Sequence, residues 1–302
     1  MRVAVFYNSI SNPSKFPNKV MLMDNFAQGV RHCGDEVIAC HDKKLPTASF
    51  DAGFVLGYTK EDNFRKQIID HTRSLGAVPI FVDSNVLHYA RPEHEWHRYS
   101  LNTVYPDSGT YMFGALDSTK WDQYSGWHNT ALKPWRTQGD HILVLCQRPN
   151  GFNMFVDQED WLHHTIAQIR LYTQRPIMIR MHPGDGSRVK QIEKLHEKYG
   201  NSVTISTHAN IRDALADCWC AVGLNSTPNV VALIEGIPTY VEDPVHSWAA
   251  DVAFTDLSLI ENPPTPDRSE WACKIANIHW SNQEVKSGQL WQSIKHYISS
   301  AR

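Results

Sequence analysis

Short apolar runs recur through the first third of the chain, separated by longer stretches whose apolar positions fall three or four apart. Val3–Tyr7, Glu36–Cys40, Phe54–Tyr58 and Val78–Val82 have the length and composition of buried parallel strands. Between them, Lys19–Cys33 and Asn63–Ser74 read as helices. Gly34 would stop the first, and Phe64, Ile68 and Ile69 share one side of the second. Strands alternating with helices predict a doubly wound parallel sheet. From His88 to Arg136 the periodicity fades, except for a strand over Thr110–Leu116. Lys133–Asp140 is polar, holds both Pro and Gly, and reads as a linker. The same rhythm then restarts with strands at His141–Cys146, Ile177–Met181, Val203–Ser206 and Ile237–Val241, and another strand ending at Gly223. The intervening helices carry Trp161, Leu162, Ile166 and Ile169, or run over Arg188–Tyr199, or lead through Val231 to Gly236. Asn262–Asp267 connects to helices over Arg268–His279 and Gly288–Ser299. The pattern therefore divides the chain into α/β domains at 1–136 and 137–285, with a C-terminal helix over 286–302.

Composition narrows the class without naming a function. The 302 residues are 42% hydrophobic and 20% charged, which gives a globular chain with a substantial core. A net charge of −3 provides no global attraction for nucleic acid. No apolar run is long enough for a membrane span, and a chain that opens directly on a strand reads as a cytoplasmic N-terminus without a leader. The six cysteines are scattered, mostly within apolar runs, and read as buried free thiols. His94 and His97 have a ligand-like spacing but no evident third ligand, so no metal is expected there.

Candidate chemistry gathers where strands end. Asn225, Ser226 and Thr227 are N-cap types, and Pro228 suits the first turn of a helix. A helix N-terminus with two hydroxyls is an anion site in waiting, or a plain cap. Glu235 lies about two turns on, either within reach of a ribose hydroxyl or as a solvated charge. Asp83 closes the fourth strand, as a proton acceptor or as an ordering residue of the turn. Arg180-Met-His-Pro places a guanidinium and an imidazole at another strand end. They suit a diphosphate, or an ion pair and a turn. Arg148, in the loop after His141–Cys146, is a second diphosphate candidate. Between His88 and Arg136, aromatics including Tyr89, Trp96, Tyr111 and Trp127 alternate with Arg91, His94, Arg98 and Lys120. Such a surface suits stacking on sugars or unstacked bases, or the aromatics pack against the sheet.

Ser226-Thr227, followed by Glu235-Gly-Ile-Pro238, resembles the donor-nucleotide signature of GT-B glycosyltransferases. Arg180-Met-His182-Pro is similar to a segment of GT-B polysaccharide and teichoic-acid transferases, and Ile80–Leu87 to the base-bearing turn of a phage DNA glucosyltransferase. The resemblance implies two Rossmann-like domains facing across a cleft, with the C-terminal helix, 286–302, packing back on the first. It implies a nucleoside-diphosphate sugar as donor, UDP-linked for preference, and no required metal. Asp83 would be the base and His182 would meet the leaving phosphate. Asn225, Ser226, Thr227, Arg148 and Arg180 would hold the diphosphate, Glu235 the ribose, and His208 and Ile211 the nucleobase. The acceptor it favours is a hydroxymethylated base in phage DNA, which adds DNA as a partner. A cell-surface polysaccharide, or a nucleotide-binding subunit without catalysis, are the alternatives.

Overall fold

The computed structural model describes residues 1–10, 12–58, 63–87, 95–148, 156–183, 194–195 and 197–300. The chain forms two compact units, one of residues 1–124 with 273–302 and one of residues 125–272. The hydrophobic pattern instead places the boundaries at 136 and 285.

The first unit is built on a six-stranded sheet. β1 (Arg2–Phe6), β2 (Glu36–Cys40), β3 (Ala52–Leu56) and β4 (Val78–Asp83) are joined through α1 (Pro17–His32) and α2 (Phe64–Ser74). These four lie in the order β4-β3-β1-β2. β1 to β4 pair in parallel, as their apolar runs require for burial on both faces. Asn63 caps α2 by accepting from the N–H groups of Arg65 and Lys66.

Two strands were not legible in the pattern. β5 (Trp96–Leu101) pairs antiparallel with β4, and β11 (His279–Ser281) pairs antiparallel with β5. β5 contains His97, Arg98 and Ser100, yet all six residues are buried. Arg98 is tolerated there because its guanidinium reaches the Asp83 carboxylate at 2.8 Å and the Ser84 carbonyl at 2.7 Å. The strand expected over Thr110–Leu116 reduces to a single bridge, Leu101 to Thr110. α3 (Lys120–Trp127) follows it. The cation at its start is buried as well, with Lys120 Nζ 3.1 Å from Glu284 and 3.8 Å from the centre of the Trp280 ring.

The second unit has a five-stranded, all-parallel sheet. Its strands are β6 (His141–Leu145), β7 (Ile177–Arg180), β8 (Val203–Ile205), β9 (Cys218–Gly223) and β10 (Thr239–Val241), in the order β10-β9-β6-β7-β8. α4 (Gln158–Arg170) follows β6, and α5 (Thr227–Ile234) links β9 to β10. Ile142, Val144, Trp161, Ile166, Ile179 and Val222 form its core. The helix expected over Arg188–Tyr199 lies largely outside the described residues.

α6 (Ser269–Asn277) leads back to the first unit, where α7 (Asn282–Ser287) and α8 (Gln289–Ser300) follow β11. Val285, Leu290, Trp291, Ile294 and Ile298 share a core with Met23, Phe26 and Phe54, so these terminal helices are part of the first unit. Among the described residues, no helix is long and apolar enough to cross a membrane.

Asp35 fastens the last helix to the start of the sheet. It accepts from Trp291 Nε1 at 2.7 Å and from Lys295 Nζ at 2.8 Å, and it meets the Met1 ammonium. Burial pushes the Asp35 carboxyl up, but the hydrogen bonds from Lys295, Met1 and Trp291 outweigh it and bring the pKa down to about 2. The folded value lies below that of an unfolded aspartate, so the stabilisation is complete above the unfolded value of about 3.9. It is lost as the pH falls through the folded one. Asp35→Asn should cost roughly 2 kcal/mol at neutral pH and much less near pH 2, measured by urea denaturation across that range.

Candidate functional site

In an open parallel sheet, ligands bind beyond the carboxyl ends of strands, where the strand order reverses direction. In the second unit the chain moves from β6 to β7 to β8 and then returns to the other side of β6 with β9 and β10. The reversal lies between β6 and β9. The residues just past their ends are Gln147 and Arg148 on one side and Asn225 and Ser226 on the other.

These residues are tied to each other and to the end of β10. Gln147 and Asn225 are buried, and the Gln147 amide donates to the Asn225 side-chain oxygen. With its amide turned, the Gln147 carbonyl accepts instead from the N–H groups of Ser226 at 3.1 Å and Asn225 at 3.3 Å. Asn225 Nδ2 donates to Asp243 Oδ2 at 2.8 Å, and the same carboxylate oxygen lies 2.8 Å from His246 Nδ1. Side chains from beyond β6, β9 and β10 thus form one polar chain along the carboxyl edge. Glu242 points elsewhere, accepting from Trp161 Nε1 at 2.7 Å.

Ser226 precedes α5 as its N-cap, yet its side chain makes no capping bond. Its hydroxyl oxygen is buried and has no partner among the described residues, and the same holds for both amide atoms of Asn229. Asn229 is fully buried against Gly223, where a Cβ would stand 2.2 Å from its Oδ1. Unsatisfied buried polar groups are costly, and native proteins usually keep them for a ligand, water or ion. Here they sit in the first turn of a helix whose dipole favours an anion, although Pro228 has no N–H to offer and the Asn229 N–H donates to the Ser226 carbonyl at 3.1 Å.

The other sequence candidates are distributed as follows. Thr227 opens α5 beside Ser226. Arg148 is exposed at the margin of the described residues. Arg180, at the end of β7, donates to the carbonyls of His208 at 2.5 Å and Ala209 at 2.9 Å, so it braces the turn after β8. His208 is otherwise exposed, and Ile211 is buried at the start of a single helical turn, Ile211–Ala214, capped by Asn210. His182 is half-buried two residues past β7.

Glu235 is not brought to Ser226. It caps the opposite end of α5, whose 8 residues rise about 12 Å. There its buried carboxylate meets Lys133 and, at 2.9 Å, Arg212. Asp83, in the first unit, has both oxygens engaged, Oδ2 by Arg98 and Oδ1 by the Ser84 N–H at 2.7 Å. Of the cationic and aromatic segment, Trp96, Tyr99, Tyr111 and Tyr124 are core residues and Arg98 and Lys120 are buried in ion pairs, while Trp127 is exposed. Tyr89, Arg91 and His94 lie outside the described residues, and His97 is buried in β5. Among the described residues no cluster of His, Cys, Asp or Glu could hold a metal ion.

The sequence marks Glu242–Ser247 only as a segment where acceptor and donor sugar could meet, and gives no role to Gln147, Asp243 or His246 by residue. The signal for the last two was present in Asp243-Pro-Val-His246, a carboxylate and imidazole three apart around a proline just past a strand.

Two α/β units with parallel-rich sheets, the second carrying a helix N-terminus at its switch point, are the architecture of the GT-B glycosyltransferases, and the chain has that fold. KpsC, beta Kdo 2,4 transferase, of Thermosulfurimonas dismutans matches with a TM-score of 0.60 and 13% identity, over 99% of this chain and 98% of that one. KpsC, beta Kdo 2,7 transferase, of the same organism matches with a TM-score of 0.56 and 12% identity, over 96% and 99%. At such identities the likeness is one of fold. No protein-family model matches the chain. In sequence it is 27% identical over 137 residues to the sterol-4-alpha-carboxylate 3-dehydrogenase erg26, decarboxylating, of Schizosaccharomyces pombe, a match spanning 43% of this chain and 36% of that protein. A dinucleotide fingerprint would need glycines between β1 and α1, and Asn8–Phe16 contains none.

Proposed function

We propose that the protein transfers a sugar from a nucleotide-activated donor to an acceptor hydroxyl, with the donor's phosphates held at the β6/β9 crevice. The observation that carries this reading is the pair of buried groups without a partner among the described residues, Ser226 Oγ and the Asn229 amide, in the first turn of α5 at the switch point. A UDP-sugar remains the preferred donor, on the resemblance of Ser226-Thr227 and Arg180-Met-His182-Pro to donor-binding segments. The same resemblance supplies Asp83 as base and His182 for the leaving phosphate.

For the acceptor, a polysaccharide hydroxyl is the better supported choice. The whole chain shares its fold with two Kdo transferases. The aromatics and cations that suggested a flipped DNA base are in large part core residues or buried ion pairs.

The test is a panel of UDP-, GDP-, CDP- and CMP-linked sugars offered with oligosaccharides and with hydroxymethylated DNA. Label entering oligosaccharide supports the reading. Label entering only the DNA restores the phage acceptor, and nucleotide binding without transfer to anything marks a non-catalytic subunit. Ser226→Ala should weaken nucleotide binding roughly 10- to 100-fold, the value of a hydrogen bond to a charged group. Because Ser226 makes no cap bond, the same substitution should leave stability within about 0.5 kcal/mol. Calorimetry and denaturation of one variant separate a ligand contact from a helix cap.

A further inference from the structure

We infer that Gln147 sets how tightly the donor's phosphate is held: its side-chain amide fills the place of an anion on the turn at Ser226, and the phosphate displaces it. This role rests on the reading of the β6/β9 crevice as the donor site, and adds to that site a competitor supplied by the chain itself.

Few N–H groups at this turn can meet an anion. Pro228 has none, and that of Asn229 is taken by the Ser226 carbonyl. An anion must therefore be met by the N–H groups that come before them, and Gln147 stands on two of these. Its terminal amide atom lies 3.1 Å from the Ser226 nitrogen and 3.3 Å from that of Asn225. Two successive backbone N–H groups turned on one point make the kind of concavity in which proteins hold anions. Gln147 fills it from just past the end of β6, with 8% of its surface exposed.

The amide fits this place imperfectly. With nitrogen at that point, Gln147 donates to the Asn225 side-chain oxygen but sets an NH2 against two backbone donors. With oxygen there, it accepts from both N–H groups but faces the Asn225 oxygen. Asn225 cannot turn to relieve the conflict, because its Nδ2 donates to Asp243 Oδ2 at 2.8 Å and a carboxylate only accepts. A buried amide satisfied on one side only is held less firmly than a fully paired one, so it can yield to a ligand. A phosphate oxygen carries charge and makes the stronger bonds to N–H groups. In the same turn, Ser226 Oγ and the fully buried Asn229 amide have no partner among the described residues, so Gln147 leaves them unsatisfied.

The experiment measures, by calorimetry, binding of inorganic pyrophosphate, UDP, GDP, CDP and CMP to the full-length protein and to Gln147→Ala, Gln147→Met and Gln147→Glu. Gln147→Ala removes the competing amide and should tighten each ligand that binds by about 5- to 30-fold, the worth of one or two neutral hydrogen bonds. Gln147→Met keeps the bulk of the side chain, gives up its hydrogen bonds, and should shift affinity in the same direction. It serves in place of alanine should that variant fail to fold, as judged by thermal melts. Gln147→Glu sets a charged carboxylate on the same N–H groups and should weaken binding at least tenfold. Opposite signs from alanine and glutamate at one position are not produced by a general loosening of the turn. If the parent binds a ligand and neither Gln147→Ala nor Gln147→Met binds it more tightly, Gln147 is no competitor and this role is overturned, while the donor reading stands. Binding by Gln147→Glu as tight as the parent's overturns it as well. If the parent and all three variants bind none of the five ligands, the donor reading falls, and this role with it.

Discussion

Asp83→Ala is expected to destabilise the first unit by about 3–5 kcal/mol, the usual cost of removing one partner from a buried ion pair. Arg98 is only 6% exposed and is fixed by register, since Asp83 and Arg98 are direct partners across β4 and β5. Removal of the carboxylate leaves a desolvated guanidinium without its counter-charge. Asparagine at 83 should be intermediate. Its amide presents one oxygen and one NH2 to two donors, the Arg98 guanidinium and the Ser84 N–H, so one of the two contacts becomes donor against donor. Replacing both partners with apolar residues, as in Asp83→Leu with Arg98→Met, should recover much of the loss. Urea denaturation of the single variants and the pair measures the cycle. Singles that cost less than about 1 kcal/mol would show the pair to be solvent-screened. The same series bears on catalysis, because lost turnover in Asp83→Asn must be judged against the structure it loosens.

What could be read from the sequence was local, and what could not depended on strand order. The parallel strands announced themselves because strands buried on both faces are apolar throughout, as Val3–Phe6 and Ile142–Leu145 are. β5 stayed hidden because Arg98 and His97 interrupt its apolar pattern, and the partner that makes Arg98 acceptable is 15 residues away. Asn225 and Ser226 were visible as cap residues from their immediate neighbours. Gln147, Asp243 and His246 meet them only because β9 and β10 turn back past β6, and no local pattern encodes that adjacency. Arg180 was legible as a cation at a strand end. Its partners, the carbonyls of His208 and Ala209, are backbone groups and leave no mark on sequence. Glu235 shows the reverse error of scale. Counting along a helix correctly put it two turns on, but the far end of α5 is occupied by Lys133 and Arg212, which come from distant parts of the chain.

That far end carries the second large expected effect. Gly236→Ala should cost about 3 kcal/mol or more, and Gly76→Ala should cost about 1–2 kcal/mol. Both glycines have positive φ, +81° at Gly236 and +68° at Gly76, so both substitutions incur the left-handed penalty of an L-residue. They differ in what surrounds them. A Cβ at Gly76 meets nothing within 4 Å, whereas at Gly236 it stands 2.0 Å from the carbonyl oxygen of Pro134 and 3.1 Å from that of Lys133. Those are backbone atoms, and they cannot turn aside as a side chain does. The segment is also fastened, because Lys133 N–H donates to the Ile234 carbonyl at 2.9 Å and Arg136 N–H to the Gly236 carbonyl at 2.7 Å. Arg268 holds it from a third side, donating to the carbonyls of Leu233 and Lys133 and stacking 3.8 Å from the Trp135 ring centre. To admit the methyl group, residues 133–136 must move away from α5, and several of these bonds must lengthen together. The difference between the two variants in urea denaturation isolates this close approach from the common φ term. Equal losses would mean that residues 133–136 yield freely. A larger loss at Gly236, with nucleotide affinity falling alongside stability, would show that the seating of α5 at its C-terminus fixes the turn at Ser226.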